Sequence, residues 1–461
     1  MGTLLIKNAS IVVTFDSEDR ELSNAGLLIR DGIIEEVGPT QDLSQTADRV
    51  IDLRGHVVLP GMVNTHHHFY QTLTRVVPAA QDANLFNWLK TLYPIWGRMT
   101  SEDIYISTKT ALAELALSGC TTASDHLYLF PNGSSLDDEI AAAKEIGLRL
   151  HASRGSMSLG ESKGGLPPDH VVDTEEHILE DSVRLIEKYH DPNPGSMLQI
   201  VLAPCSPFSV TTELMKESAK VARQYGVHLH THLAETKDEE QFCIERFGLR
   251  PAAYMQSVDW IGNDVWFAHS VYINQNEIEL YARHGCGVAH CPSSNMRLAS
   301  GIAPVAEYLA AGVKLGLGVD GSASNDSSNM ISEARVGMLL GRVRAGLEGA
   351  SLSGSDAPRI LTAREYLKIA TKGGAAVLGR SDIGSLEVGK CADFIAINMN
   401  KLDFAGALHD PVSALLFCHT NRVDWNVVHG NIIVENGQLM TDNEASIVSQ
   451  HNKAASKLLA D

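Results

Sequence analysis

Residues Pro60 to Gln71 read PGMVNTHHHFYQ, a short apolar run and three consecutive histidines behind a Pro-Gly step. The stretch separates two textures. From Thr3 to Leu59 the chain is strand-like, LLIKNASIVV, AGLLIRDGIIEEVG and DRVIDLRGHVVLP, with Asn-Ala, Asp-Gly and Arg-Gly turns between β-branched runs. That pattern predicts an antiparallel β module. After Pro60, apolar runs of about 5–8 residues alternate with helical segments of about 10 or more, as in βα units around a parallel sheet.

The strand-like runs are Val57–Asn64, Thr121–His126, Leu148–Ser153, Leu198–Ala203, Val227–His232, Val265–His269, Gly287–His290 and Leu315–Asp320. Eight is the number that closes a (β/α)8 barrel. Among the helices, SEDIYISTKTALAELALSG takes Ser101 as N-cap, carries Glu102 and Asp103 in its first turn and ends at Gly119. LDDEIAAAKEIG and TTELMKESAKVARQYG end on Gly147 and Gly226 in the same way. Strand texture returns near Gly384, in GSLEVGKCADFIAINMN and VVHGNIIVENGQLM, where Asn436-Gly437 predicts a hairpin turn. The expected fold is therefore α/β: a (β/α)8 TIM barrel over residues 59–378, with a small β-sandwich domain and terminal helix built from residues 1–58 and 379–461. SLGESKGGLPPDH, Ser158 to His170, is a polar loop that reads equally as a lid or as plain surface.

Composition narrows the partners. Lys and Arg total 37 against 56 Asp and Glu, a formal charge of −19 that disfavours nucleic-acid backbones and anionic membrane surfaces. Seven unevenly spaced cysteines, mostly in apolar segments, read as reduced thiols in a cytoplasmic protein. MGTLLIKNASIVV has no long apolar core and no cleavage signal, so no signal peptide is expected. Nor does any run reach the about 18 apolar residues of a membrane span.

The chemistry gathers at the strand ends. Side chains alternate across a strand, so His66 and His68 share a face while His67 points away. In VHLHTHLAET, His228, His230 and His232 share one face, and His232 lies at the carboxyl end. VWFAHS places His269 at the end of an apolar run, and KLGLGVDGSASND does the same with Asp320. A hydrogen-bonded core histidine or an N-cap aspartate explains any one of these as well as a metal does. Four strands each ending in a metal-capable residue, at the end where such barrels hold their active sites, favour the metal. Three imidazoles and a carboxylate suit Zn²⁺ or Fe²⁺.

The order H-x-H, H-x-x-E, H, D resembles the amidohydrolase superfamily, in particular its mononuclear aminohydrolase branch of guanine, cytosine and S-adenosylhomocysteine deaminases and triazine hydrolases. The matching residues are THHH (His66, His68), HLAE (His232, Glu235), AHS (His269) and GVDGSASN (Asp320), and CPSSNMRLASG also looks like a family segment. The resemblance covers essentially the whole chain. It implies one divalent metal ion, Zn²⁺ or else Fe²⁺, on His66, His68, His232 and Asp320, with Glu235, His269 and Asp320 catalytic. No lysine follows the third or fourth barrel strand in a position to bridge two metals. Against these roles, Glu235 reads as a solvated carboxylate opening the next helix, and Asp320 as a turn residue before Gly321.

Substrate contacts stay open. Gln71 matches a glutamine that contacts the purine in guanine deaminases, or is a helix-facing polar residue. Trp88, in LFNWLKTLYPIW, resembles part of the aromatic loop over the site, stacking on a heterocycle or packing the loop. Arg154, closing the third strand, binds a carbonyl oxygen or a surface carboxylate. Cys205, in LAPCSPFSV, stands where nucleoside-type relatives carry histidine, which argues against an adenosine-type substrate. By their resemblance to the same branch, THHHFYQTLTRVVP, TTASDHLYLFPNG and LAPCSPFSVT imply a small heterocycle, with 8-oxoguanine hydrolysed to urate and ammonia as the leading expectation. Isocytosine or guanine, an amino- or chloro-s-triazine, and a catalytically dead scaffold are the alternatives. A homo-oligomer is expected, with no nucleic-acid or membrane partner.

Overall fold

A computed structural model describes residues 2–349, 359–418 and 420–460. Eight parallel strands close into a barrel: Met62–Asn64, Cys120–Leu127, Arg149–Ser156, Leu198–Pro204, His228–Leu233, Val265–His269, Gly287–His290 and Lys314–Leu317. Leu317 pairs with Asn64 and completes the ring. Helices between the strands cover the outside. Helices Leu136–Ile146 and Thr212–Tyr225 stop at Gly147 and Gly226, whose φ values of 83° and 71° suit glycine. Helix Ser101–Leu117 is capped by Thr100, one residue before the expected Ser101, because Thr100 and Asp103 form a reciprocal capping box.

Both chain ends join one nine-stranded, mostly antiparallel sheet. The seam is His56–Pro60 running antiparallel to Phe394–Asn398. Alternation gives this seam two uses: Val57, Leu59, Ile395 and Ile397 pack into the barrel-side core, while Val58, Phe394 and Ala396 enter a separate apolar core of the sheet. The hairpin Asn431–Glu435 to Gln438–Leu439 turns through Asn436 and Gly437, both at positive φ. The C-terminal helix Glu444–Leu459 returns to the barrel, where His451 Nε2 lies 3.0 Å from Thr72 Oγ1.

The run Val57–Asn64 is two strands. The Gly61 N–H donates to the Asp393 carbonyl and the Met62 N–H to the Gly119 carbonyl, so the chain leaves the sheet and enters the barrel across one residue. The Cβ of any other residue at Gly61 would overlap Thr121.

Candidate active site

The carboxyl ends of the barrel strands bring the histidines together. His66 and His68 follow the first strand, His232 lies in the fifth, His269 ends the sixth and Asp320 stands three residues beyond the eighth. Asp320 Oδ1 is 3.2 Å from His66 Nε2 and 3.3 Å from His68 Nε2. His68 Nε2 and His232 Nε2 face each other at 3.0 Å. Ala234, His269 and Asp320 hold left-handed backbone at φ 53°, 69° and 62°. Such strain in residues other than glycine gathers where geometry must be fixed.

Hydrogen bonding fixes the tautomers. The Nδ1–H of His68 donates to the His126 carbonyl at 2.7 Å, and that of His232 to the Cys205 carbonyl at 2.6 Å. Burial holds both imidazoles below their ordinary pKa, and therefore neutral. Two bare Nε2 lone pairs consequently meet at 3.0 Å, an arrangement that repels unless a cation sits between them. His66 Nε2 is likewise buried without a hydrogen-bond partner. These donors fit a divalent metal ion of borderline softness.

Beside this cluster, Glu235 Oε2 is 3.6 Å from His269 Nε2, and its Oε1 accepts from Ser300 Oγ at 3.1 Å. His269 Nδ1–H donates to Asn295 Oδ1 at 2.9 Å, leaving Nε2 toward Asp320 Oδ2, 3.9 Å away. Burial disfavours the charged imidazolium of His269, but the Glu235 and Asp320 carboxylates outweigh it and the pKa rises. Burial also raises Glu235, helped by Asp320 and opposed by His269 and Ser300. For Asp320 burial acts upward, yet the adjoining imidazoles of His66, His269 and His68 hold the carboxyl well below its usual range.

A cavity opens over these groups, and Gln71, Trp88 and Cys205 line it. Gln71 Oε1 is buried without a partner. Burial pushes the Cys205 thiol up to about 12, so it is a neutral wall. LFNWLKTLYPIW is a helix, Leu85–Trp96, whose Trp88 donates its indole N–H to the Ala323 carbonyl at 3.1 Å and ties this cover to the loop beyond Asp320. Arg154 lies elsewhere. Ser153 pairs in register with His126, and Arg154, the next residue, turns to the opposite face, where Asp181 and Asp173 bind its guanidinium at 2.8 and 3.3 Å. Of the two readings of Arg154, these contacts match the carboxylate partner, and Arg154 does not line the cavity. Loop 158–170 does not line this cavity.

Sequence reasoning passed over Asn295 and Ser300, although CPSSNMRLASG contains both. It also passed over Tyr128, which lines the cavity with its ring edge-on to His68 at 5.0 Å. Two-residue alternation from His126 signals Tyr128. No local pattern signals the other two, which meet their partners only through the fold.

Residues 57–439 match the amidohydrolase family, and the chain belongs to it. It is 50% identical to 8-oxoguanine deaminase of Pseudomonas aeruginosa, over 100% of both chains. It is 36% identical to hydroxydechloroatrazine ethylaminohydrolase of Pseudomonas sp. strain ADP, over 95% of this chain and 92% of the relative. Among solved structures, atrazine chlorohydrolase from Arthrobacter aurescens TC1 complexed with zinc is 34% identical, with a TM-score of 0.92 over 98% of this chain and 100% of that one.

Proposed function

We propose that the chain is a zinc-dependent deaminase that hydrolyses 8-oxoguanine to urate and ammonia. The observation that carries the reading is the meeting, in one cavity, of bare imidazole nitrogens beside Asp320 with a carboxyl–imidazole pair, Glu235 and His269. His66, His68, His232 and Asp320 would hold one divalent ion, and the zinc in the solved relative supports its identity. When bound, such an ion supplies Lewis acidity that lets water lose a proton near neutral pH.

The chain's own groups move the protons. Glu235, whose carboxyl burial shifts toward its protonated form, donates to a ring nitrogen and leaves the amine-bearing carbon electron-poor. As the water oxygen adds there, Asp320 and His269 take its proton. The amino group receives that proton and leaves as ammonia, while the new hydroxyl returns its proton to Glu235 and becomes the carbonyl. Gln71 offers its free Oε1 to a ring N–H, and Cys205 and Trp88 close the walls. The P. aeruginosa relative supports 8-oxoguanine as the ring. All seven cysteines are unpaired, which fits a reducing, cytoplasmic setting.

The test is ammonia release from 8-oxoguanine, guanine, isocytosine, cytosine and amino-s-triazines, with Glu235→Gln as control. The highest kcat/KM is expected for 8-oxoguanine, falling about 10²–10⁴-fold in the variant. Faster loss of an alkylamine or halide from a triazine would favour the second reading, which the hydroxydechloroatrazine relative supports.

A further inference from the structure

The middle imidazole of VHLHTHLAET has no part in the chemistry above, yet it is fully buried one layer beneath the cluster. His230 Nδ1 lies 3.0 Å from the Trp266 carbonyl oxygen, which can only accept, so Nδ1 carries the proton. His66 Nε2 is buried without a hydrogen-bond partner, which puts the proton of that ring on Nδ1 and leaves His230 to meet it with the lone pair of its own Nε2. That nitrogen is 2.8 Å from His66 Nδ1. His66 is therefore the donor there, and its own Nε2 stays bare toward Asp320.

The contacts close into a circuit. The Trp266 indole N–H donates to the Thr65 carbonyl at 3.1 Å, one residue before His66, and the His230 ring stacks on Trp266 at 4.6 Å and 16°. His68 and His232 donate instead to backbone carbonyls. An acceptor on the far nitrogen fixes a ligand's tautomer and orientation and raises its basicity. His230 cannot rotate away while its other nitrogen and its face are both held.

We propose that His230 is a positioning residue for metal binding, an imidazole acceptor that locks the His66 ring with Nε2 toward the cluster. The inference rests on the reading of His66 as a ligand.

Competition of the metal-free chain against a chelator for Zn²⁺ tests it, using wild type, His230→Gln, His230→Leu and His66→Ala. His230→Leu is expected to bind Zn²⁺ about 10–100-fold more weakly. His230→Gln, whose Oε1 can accept from His66, should fall between. The visible spectrum of the Co²⁺-loaded protein should shift in the leucine variant and less in glutamine. Wild-type affinity and spectrum in the glutamine and leucine variants would overturn the inference, as would equal losses in the two. Should the leucine variant fail to fold, a glutamine variant of wild-type affinity and spectrum overturns it alone. If wild type binds Zn²⁺ no more tightly than His66→Ala, the ligand reading itself fails.

Discussion

Three adjacent imidazoles after the first barrel strand do different work because each is held differently. His66 and His68 present bare Nε2 atoms to Asp320. His67 turns away, its Nε2 3.0 Å from Ser328 Oγ and its Nδ1 accepting the His68 N–H, with burial holding it neutral at a pKa of about 3. His67→Asn should therefore keep one metal ion per chain while losing about 1–3 kcal/mol of stability from disturbed buried hydrogen bonds. His66→Ala and His68→Ala should lose the metal. Metal analysis with denaturant unfolding separates these outcomes, and metal loss in His67→Asn would contradict the assignment.

At the scale of elements, the turn between the fifth strand and helix Lys237–Phe247 sets the position of Glu235. Glu239, in the first turn of that helix, accepts the Ala234 and Glu235 backbone N–H groups at 2.8 Å each, across left-handed Ala234. Glu239→Gln replaces one acceptor with a donor that repels an N–H, so kcat should drop about 10-fold or more with KM little changed. Unchanged kcat would show that Glu235 needs no such support. Strand and helix runs were legible in the sequence because alternation and caps are local. The break at Gly61 was not, because only the change of partner from Asp393 to Gly119 reveals it. The choice between the two readings of Arg154 was not legible for a related reason: its face follows from the pairing of Ser153 with His126, a register that the third strand alone does not disclose. The cluster of His66, His68, His232 and Asp320 was legible because each lies at or just beyond a strand end. The supports Asn295, Ser300 and His230 act across the barrel, where spacing along the chain carries no signal.

For the whole molecule, pH dependence follows from the buried rings. His67, His290 and His451 are pushed down to about 3, 3 and 4 by burial, and His126, His151 and His230 lie well below their usual value. The unfolded chain, with histidines near about 6.5, binds more protons than the folded one below that pH. These groups therefore contribute stability above about pH 6.5 that is lost as pH falls toward the folded values. Asp125, Glu239 and Glu333, raised to about 7 by burial, act oppositely: their stability is present below about pH 4.5 and lost as pH rises through 7. Glu139 and Glu235 are raised as well, yet the lowered histidines outnumber the raised carboxyls, so Tm should be lower at pH 5.5 than at pH 7.5. A Tm equal or higher at pH 5.5 would show that the carboxyls dominate.

The measurement closest to the centre of the account is the conversion of 8-oxoguanine by the zinc-loaded chain, followed as urate absorbance and ammonia together, before and after chelation. Equal amounts of urate and ammonia are predicted, abolished by the chelator and recovered with Zn²⁺. No urate from the loaded chain, or turnover indifferent to chelation in a chain shown to have lost its metal, would contradict it.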